Sequence, residues 1–523
     1  TMTGANLTET AMQRMYFSCI TEDSELLKES LEYMFDPIKY VEDEGFQVDG
    51  CFFQHGHQLY IGGYGEVLLE TVLQTAVAVR GTQYSLPEGK KKILREYVLG
   101  SWSNVIRGEV MHWNALGRQL TRPDFLRYPE RRIPIIKNMI AVDEEYAGEY
   151  SYIFGRLQGE LTADAYITPQ HIHFFRGDYT LHIKEGYTFS VRLTSTRTAL
   201  QERANGENNK GYNLSFGTTC VTSHGKEYYD LMPFWDWHKI PGVTAATDYL
   251  AEGFSGYGCS TFAGGVSDSI YGCTAFRYDD NFKETGTGAS KGYFFFDDEV
   301  VCLGAGIHST HDNVQTTVNS CWGKDEFYIG SDYSYQAKSG DIENYDASKL
   351  RWILHDGIGY FFPETQKVVV ENKEKTGNWY WCSTQQEDKE IQGKLFTLGI
   401  EHSSPVTDAK YSYIVIPNST TASMLEYAAK GNIDILANSD SVQVVHHKQK
   451  YIYECIFYRP CTYKGDIEIY SQQPCALIIK KLGNVYHIHI ADPSQSRTNM
   501  TVGIKDGGMG TMIQKSGVTD YGI

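Results

Sequence analysis

Arg118 and Arg122, four residues apart in Gly117-Arg118-Gln119-Leu120-Thr121-Arg122-Pro123-Asp124, are the first residues whose type and spacing bear on chemistry. On a helical turn such a pair projects from one face. Guanidiniums held that close repel unless an anion or an acid lies between them. The pair therefore reads either as an anion-binding site or as a surface pair bridged to Asp or Glu. Upstream, His55 lies in Gln54-His55-Gly56-His57-Gln58, and Tyr64 follows in Gly62-Gly63-Tyr64-Gly65 just before an apolar helix. Glycines around a tyrosine let a ligand approach the backbone closely. A polar loop, Gln201-Glu202-Arg203-Ala204-Asn205-Gly206-Glu207-Asn208, follows a strand. Acids and amides at that density line sites, and Asn205-Gly206 is equally turn chemistry. Glu202 and Glu207 would also supply the paired carboxylates of a hydrolase. His171 with His173, and His487 with His489, share a strand face and have a spacing that suits metal, without a third ligand in view.

The elements that must position these groups change in character along the chain. The first third reads as helices: Ser24–Phe35 with a Ser N-cap, Gly65–Arg80, Lys90–Ile106, Pro134–Ile140 and Tyr146–Leu157. After Asp164, period-two alternation takes over. Tyr187, Phe189, Val191 and Leu193 alternate with polar residues, as in a half-buried strand. Tyr293–Phe296 and Val300–Leu303 read as a hairpin around Asp297-Asp298-Glu299, and Trp379–Trp381 and Tyr411–Ile416 as further strands. Past Ala428–Ile435, the segment Tyr451–Tyr458 and the pair Ala476–Leu482 and Asn484–Ala491 around Gly483 suggest a small β-sandwich. The expected order is helical, large β, small β.

Composition narrows the function. The 523 residues fit about three domains. Acids exceed bases by 65 − 47 = 18, which argues against nucleic acid as a partner. No apolar run is long enough to span a membrane. The 11 cysteines, with no C-x-x-C, exclude zinc ribbons and leave room for one or two bridges at most. Thirteen per cent aromatics suit strand cores and sugar-binding clefts. No signal peptide opens the chain, and Thr1–Asn6 leads into a helix without a tail, as expected of a stretch from inside a longer protein.

One further set of stretches, taken in chain order, carries a resemblance. It comprises Thr3-Gly4-Ala5-Asn6, Gln54-His55-Gly56 with Tyr64-Gly65, Arg107-Gly108, Gly117-Arg118 and Arg122-Pro123-Asp124. It continues through Asn205-Gly206-Glu207-Asn208, Met232-Pro233 with Trp235, Lys239-Ile240-Pro241-Gly242 and Phe262–Asp268. Phe294–Phe296 with Val301–Ile307, and Ala491-Asp492-Pro493, complete it. The set resembles the family eight polysaccharide lyases, in particular the chondroitin AC lyases.

The resemblance implies an α+β multidomain chain. An incomplete α/α toroid would occupy residues 1–165, a large antiparallel β-sandwich domain 166–428 and a small β-sandwich domain 429–523. The first toroid helices and their sugar-stacking tryptophans would lie outside this chain. The implied activity is β-elimination on glucuronate-containing glycosaminoglycans, chondroitin sulfate and also hyaluronan. Hyaluronate or xanthan lyase activity, or polysaccharide binding without cleavage, are the alternatives. Asn6 and His55 would hold the uronate carboxylate. Tyr64 would be base and acid, with His55 as the competing base. A free tyrosine has a pKa of about 10, and a nearby guanidinium favours the phenolate. Arg118 would be that partner, with Arg122 and Asn205 also on the substrate and Glu202 orienting the arginine and sugar hydroxyls. No cofactor is needed. A structural calcium ion would be held by Asp236, Asp248 and Tyr249, with His238 standing where the resembling lyases have a second acid. The resemblance also implies a secreted or periplasmic bacterial monomer acting on an acidic polysaccharide. Arg107, Arg118, Arg122, Arg131 and Arg132 suggest a basic cleft on an acidic protein, with binding that weakens as salt rises.

Overall fold

The computed structural model describes residues 3–251, 256–280, 285–483, 485–497, 499–506 and 509–516. Asn484, expected to open a strand, lies outside them. The helical part contains α1 (Gly4–Ile20), α2 (Ser24–Phe35), α3 (Tyr64–Ala78), α4 (Glu88–Tyr97), α5 (Pro129–Val142) and α6 (Ala147–Leu157). The cap of α2 is Asp23 and not Ser24: its carboxylate accepts the Leu26 N–H at 2.9 Å. α3 is the central helix, burying Leu68, Leu69, Val72, Leu73 and Ala76 against α1 and α5. The helix expected over Lys90–Ile106 is divided. After Tyr97 it widens into a π turn, Val98–Trp102, then tightens over Ser103–Val105 before a short strand. The Asn104 carboxamide donates to the Leu99 and Gly100 carbonyls, both at 3.0 Å, in that irregular stretch.

All strand pairings of the remaining architecture are antiparallel. A four-stranded sheet (Gln170–Phe174, Tyr179–Ile183, Thr188–Arg192, Thr218–Thr222) comes first. The strand expected to be half-buried, Thr188–Arg192, is buried throughout, because its polar face meets the helical part rather than water. There the Ser190 hydroxyl lies 2.8 Å from His112 Nδ1, and Arg192 donates to the Leu116 carbonyl at 2.7 Å. Thr222 Oγ1 lies 2.9 Å from the other ring nitrogen of His112. Burial pushes that histidine down to about 3, so it docks the two parts as a neutral ring.

A nine-stranded and a five-stranded sheet then make the bulk of the β region. The hairpin joins Thr287–Phe295 to Val300–His308, pairing Tyr293 with Cys302 and Phe294 with Val301. Its unbroken aromatic run reflects burial on both faces. Tyr293 and Phe295 belong to the main core, while Phe294 and Phe296 face the C-terminal part. Trp379–Trp381 is not a strand. It lies in a one-turn helix, α7 (Trp379–Cys382), because the Asn378 side chain caps it by accepting the Tyr380 N–H at 2.9 Å. α8 (Thr421–Lys430) leads into five- and four-stranded sheets that form the small β-sandwich. Among the described residues no two cysteines are joined in a disulfide. No helix among the described residues is long and apolar enough to cross a membrane.

Phe294 is fully buried between the nine-stranded sheet and the C-terminal sandwich. Phe294→Ala should therefore cost about 3–5 kcal/mol in urea unfolding. A loss under about 1 kcal/mol would contradict packing on both faces of that strand.

Candidate functional site

The site forms where the helical part meets the loop after strand Ala199–Gln201. Tyr64 is the first residue of α3. Gly63 before it has φ +62°, a conformation that favours glycine, and gives its N–H to Glu66 Oε2 at 3.3 Å. Glu66 is wholly buried. It also accepts from Arg132 Nε at 2.7 Å and Trp102 Nε1 at 3.2 Å. Arg132 in turn donates to the Leu126 and Phe125 carbonyls. This buried pair fixes the start of α3 and so the position of Tyr64. The glycine-to-glutamate spacing is the signal in the sequence that could have found it.

Arg118 opens a short 3-10 turn, Arg118–Thr121, and Arg122 leaves it in extended conformation. The two arginines thus do not share a helical face; they converge on an acid. Arg118 Nε donates to Glu207 Oε2 at 2.8 Å, while Arg122 Nε and Nη2 donate to Glu207 at 2.5 and 3.0 Å. Glu207 is the bridging acid the spacing called for, and the bridge is largely buried rather than superficial. Arg118 Nη1 donates to Glu202 Oε1, and its Nη2 donates to the Tyr64 hydroxyl oxygen at 2.9 Å. Gly117 permits this placement: a Cβ there would lie 2.2 Å from the Tyr60 ring, whose hydroxyl accepts the Arg118 N–H.

His55, with φ +59°, places Nδ1 2.5 Å from Glu202 Oε1. A carboxylate only accepts, so Nδ1 carries the proton and Nε2 is the open ring nitrogen. The His55 ring meets that of Tyr64 edge-on at 4.7 Å. Glu202 Oε2 is buried without a hydrogen-bond partner from the protein, leaving one acceptor free. Asn6 lies in the first turn of α1. The Ala5 N–H before it donates to Gln54 Oε1, next to His55, and Gln54 is anchored on Glu44 at 2.7 Å. His55, Arg118 and Glu202 thus touch one another, Tyr64 touches His55 and Arg118, and Arg122 joins through Glu207; Asn6 is linked to the group only through the Ala5–Gln54 hydrogen bond beside it. Asn205 sits exposed at the loop tip, its carbonyl accepting from Gln385 Nε2 at 2.7 Å. Glu44 and Tyr60 were not singled out in the sequence, because ordinary polar and aromatic residues acquire these roles only through the fold.

Burial pushes the Glu207 carboxyl up, but hydrogen bonds and charge from Arg122 and Arg118 outweigh it and hold it below the ordinary range. With two arginines on it, Glu207 is a fixed anion and not the general acid that the hydrolase reading needs. The expected basic cleft is also corrected. Arg118 and Arg122 are balanced by Glu202 and Glu207, Arg131 by Glu70 and Arg132 by Glu66. Arg107 is buried on the Ser223 and Glu185 carbonyls.

The calcium ligands do not assemble. Asp236 accepts from the His238 backbone and lies 2.7 Å from His238 Nδ1, with Lys239 Nζ at 3.8 Å. Asp248 lies 3.1 Å from His311, on whose ring Tyr249 packs. Calcium takes six to eight oxygens; here an ammonium and imidazoles stand against these acids, so the residues do not fit the ion. His171 lies 3.2 Å from His182, His173 lies 2.9 Å from Thr180, and burial pushes His171 and His173 down to about 3 and about 4. Among the described residues no group of three His, Cys, Asp or Glu could hold a metal.

Comparison with known proteins places this chain in a family. Residues 1–152 match the polysaccharide lyase family 8 N terminal alpha-helical domain, 169–428 its super-sandwich domain and 434–501 its C-terminal beta-sandwich domain. A chondroitinase-AC of Pedobacter heparinus is 36% identical over 515 residues, covering 96% of this chain and 72% of the relative. A hyaluronate lyase of Thermasporomyces composti is 25% identical, covering 88% of this chain and 64% of its own length. A solved chondroitinase AC lyase, studied with oligosaccharides, superposes with a TM-score of 0.93 at 33% identity, covering 99% of this chain and 77% of that one. The chain belongs to polysaccharide lyase family 8.

The depressed Glu207 carboxyl sets a pH signature. Its proton is bound more tightly in the unfolded chain, so its stabilisation is full above the ordinary glutamate value of about 4.3 and is lost as pH falls toward the lower folded value. The stability of the protein minus that of Glu207→Gln, from urea titrations, should shrink as pH drops from about 6 to about 3. A difference independent of pH would contradict the ion pairing.

Proposed function

We propose that this family 8 polysaccharide lyase cleaves glucuronate-containing glycosaminoglycans, chondroitin sulfate first and hyaluronan also, by β-elimination with Tyr64 as base and acid. The observation that carries the reading is the 2.9 Å hydrogen bond from Arg118 Nη2 to the Tyr64 oxygen. A guanidinium can only donate, so the phenol oxygen accepts, and negative charge forming there as the proton leaves lies against a fixed cation. The names of the relatives, chondroitinase-AC and hyaluronate lyase, support the substrate class.

The proton on C5 of the uronate is weakly acidic because the adjacent carboxylate is already charged. Asn6 donates to that carboxylate through its amide, and His55 does so when its ring carries a second proton on Nε2, so that charge developing on it at the transition state is shared with donors. Tyr64 enters the step as the phenolate and takes the C5 proton, the C4–O4 bond breaks with formation of a C4–C5 double bond, and the resulting phenol gives that proton to O4, which regenerates the phenolate. In glucuronate H5 and O4 lie on one ring face, which lets one side chain serve both steps. Glu202 orients the Arg118 guanidinium and the sugar hydroxyls, and Arg122 and Asn205 engage the neighbouring sugar. The reaction takes no cofactor. A polymer of this kind is met outside the cell, so a secreted or periplasmic enzyme is the matching location.

A second reading has a specific observation behind it. Glu202 holds the Nδ1–H of His55, which leaves Nε2 of the neutral ring as an acceptor able to act as base. Tyr64→Phe separates the two. It should lower turnover of chondroitin sulfate by about 10²–10⁴-fold, followed by ultraviolet absorbance of the unsaturated uronate, while chain binding persists. Retained turnover would assign the base to His55; absence of absorbance from the unmodified protein would favour polysaccharide binding alone.

A further inference from the structure

We infer that Tyr380 and Trp381 form a sugar-stacking subsite that grips the acidic polysaccharide beyond the sugars being cut. The inference rests on the reading of the neighbouring site as a polysaccharide cleft.

The one-turn helix α7 has an anchored side and an open side. On the anchored side, Cys382 is buried with Sγ 3.4 Å from the Met232 carbonyl, and Trp379 packs on the main core. Asn378 caps the turn and donates to Asp388 at 2.7 Å. Hydrogen bonds then fasten this segment to the loop that carries Glu202 and Glu207. The Thr384 N–H donates to the Gly206 carbonyl at 2.8 Å, Gln385 Nε2 to the Asn205 carbonyl at 2.7 Å, and the Asn209 N–H to the Cys382 carbonyl at 2.9 Å.

On the open side, Tyr380 is 40% and Trp381 45% exposed. Aromatic faces this open add little to packing, yet here they sit on a turn held rigid at both ends. Ordering such rings on binding costs little conformational entropy, because the turn is already fixed. A flat amphipathic ring with a polar tip suits the C–H face of a pyranose and its hydroxyls. The same loop presents Arg203, exposed, and Lys210, half-buried, as cations for the carboxylate or sulfate of that sugar. An extended chain leaving the Arg118–Tyr64 cluster past Asn205 would reach this surface next.

The test compares chondroitin sulfate chains with a tetrasaccharide cut from them. In Tyr380→Ala/Trp381→Ala the ratio of kcat/KM on chains to kcat/KM on tetrasaccharide should fall about tenfold, the size of a stacking contact. Trp381→Phe should recover most of it, and Tyr333→Ala, which removes another exposed tyrosine (92%), should leave the ratio unchanged. Retardation of the folded proteins in gels containing chondroitin sulfate gives a readout that needs no turnover. If the unmodified protein is retarded but cleaves nothing, the lyase reading fails, and loss of retardation in the double variant still supports the subsite. An unchanged ratio and unchanged retardation in the double variant would overturn it, as would an unmodified protein that is not retarded.

Discussion

Every part of the site leads to the guanidinium of Arg118. Its Nε is held by Glu207, its Nη1 by Glu202 and its Nη2 points at the Tyr64 oxygen. A planar fork can satisfy two acids and still present a third edge, which a point-charge ammonium cannot. Because the side chain is buried, the acids are what make the charge tolerable there. Removing one would leave an uncompensated buried cation. The same acids set the neighbours: Glu202 fixes the tautomer of His55, and Glu207 draws Arg122 to the edge of the cluster.

The cation comes from the helical part and both acids from the β region, so the site exists only when the two are docked. The docking surface is itself polar. His112 bridges Ser190 and Thr222, Asn114 Oδ1 accepts from the Ser190 and Tyr179 hydroxyls, and Arg107 and Arg192 donate to backbone carbonyls across it. Buried hydrogen-bonded networks of this kind are costly if any member is unpaired, and they specify one arrangement of the layers. The acidic surplus of the chain thus coexists with a site whose charges are internally matched. On the proposed function, a polyanion would be recognised by directed donors and aromatic faces more than by a surplus of positive charge.

The helical, large β and small β order was legible because each part keeps its own hydrophobic period over long stretches. The aromatic run Tyr293–Phe296 announced a strand but not that both of its faces are covered, since a continuous apolar stretch carries no direction. The alternation around Phe189 was misread as half-exposed for the converse reason: its polar face is buried against another part of the chain. Trp379–Trp381 has strong strand formers, and one asparagine cap outweighs them. At the site, His55, Tyr64, Arg118, Arg122 and Glu202 stood out by type and spacing, with Asn6 added by family likeness. The pairings that support them, Glu66 with Arg132 and Gln54 with Glu44, were not legible, because residues 66 and 10 positions apart meet only in the fold. The aspartates expected to bind calcium were misjudged because Lys239 and His311 reach them in three dimensions.

The most direct test of the role given to Arg118 keeps its charge and removes its fork. Steady-state kinetics of Arg118→Lys on chondroitin sulfate should show kcat reduced about 10²–10³-fold with KM little changed, since a lysine cannot hold both acids and still donate to the Tyr64 oxygen. A variant that turns over at the rate of the unmodified protein would show that charge alone suffices and would contradict the account.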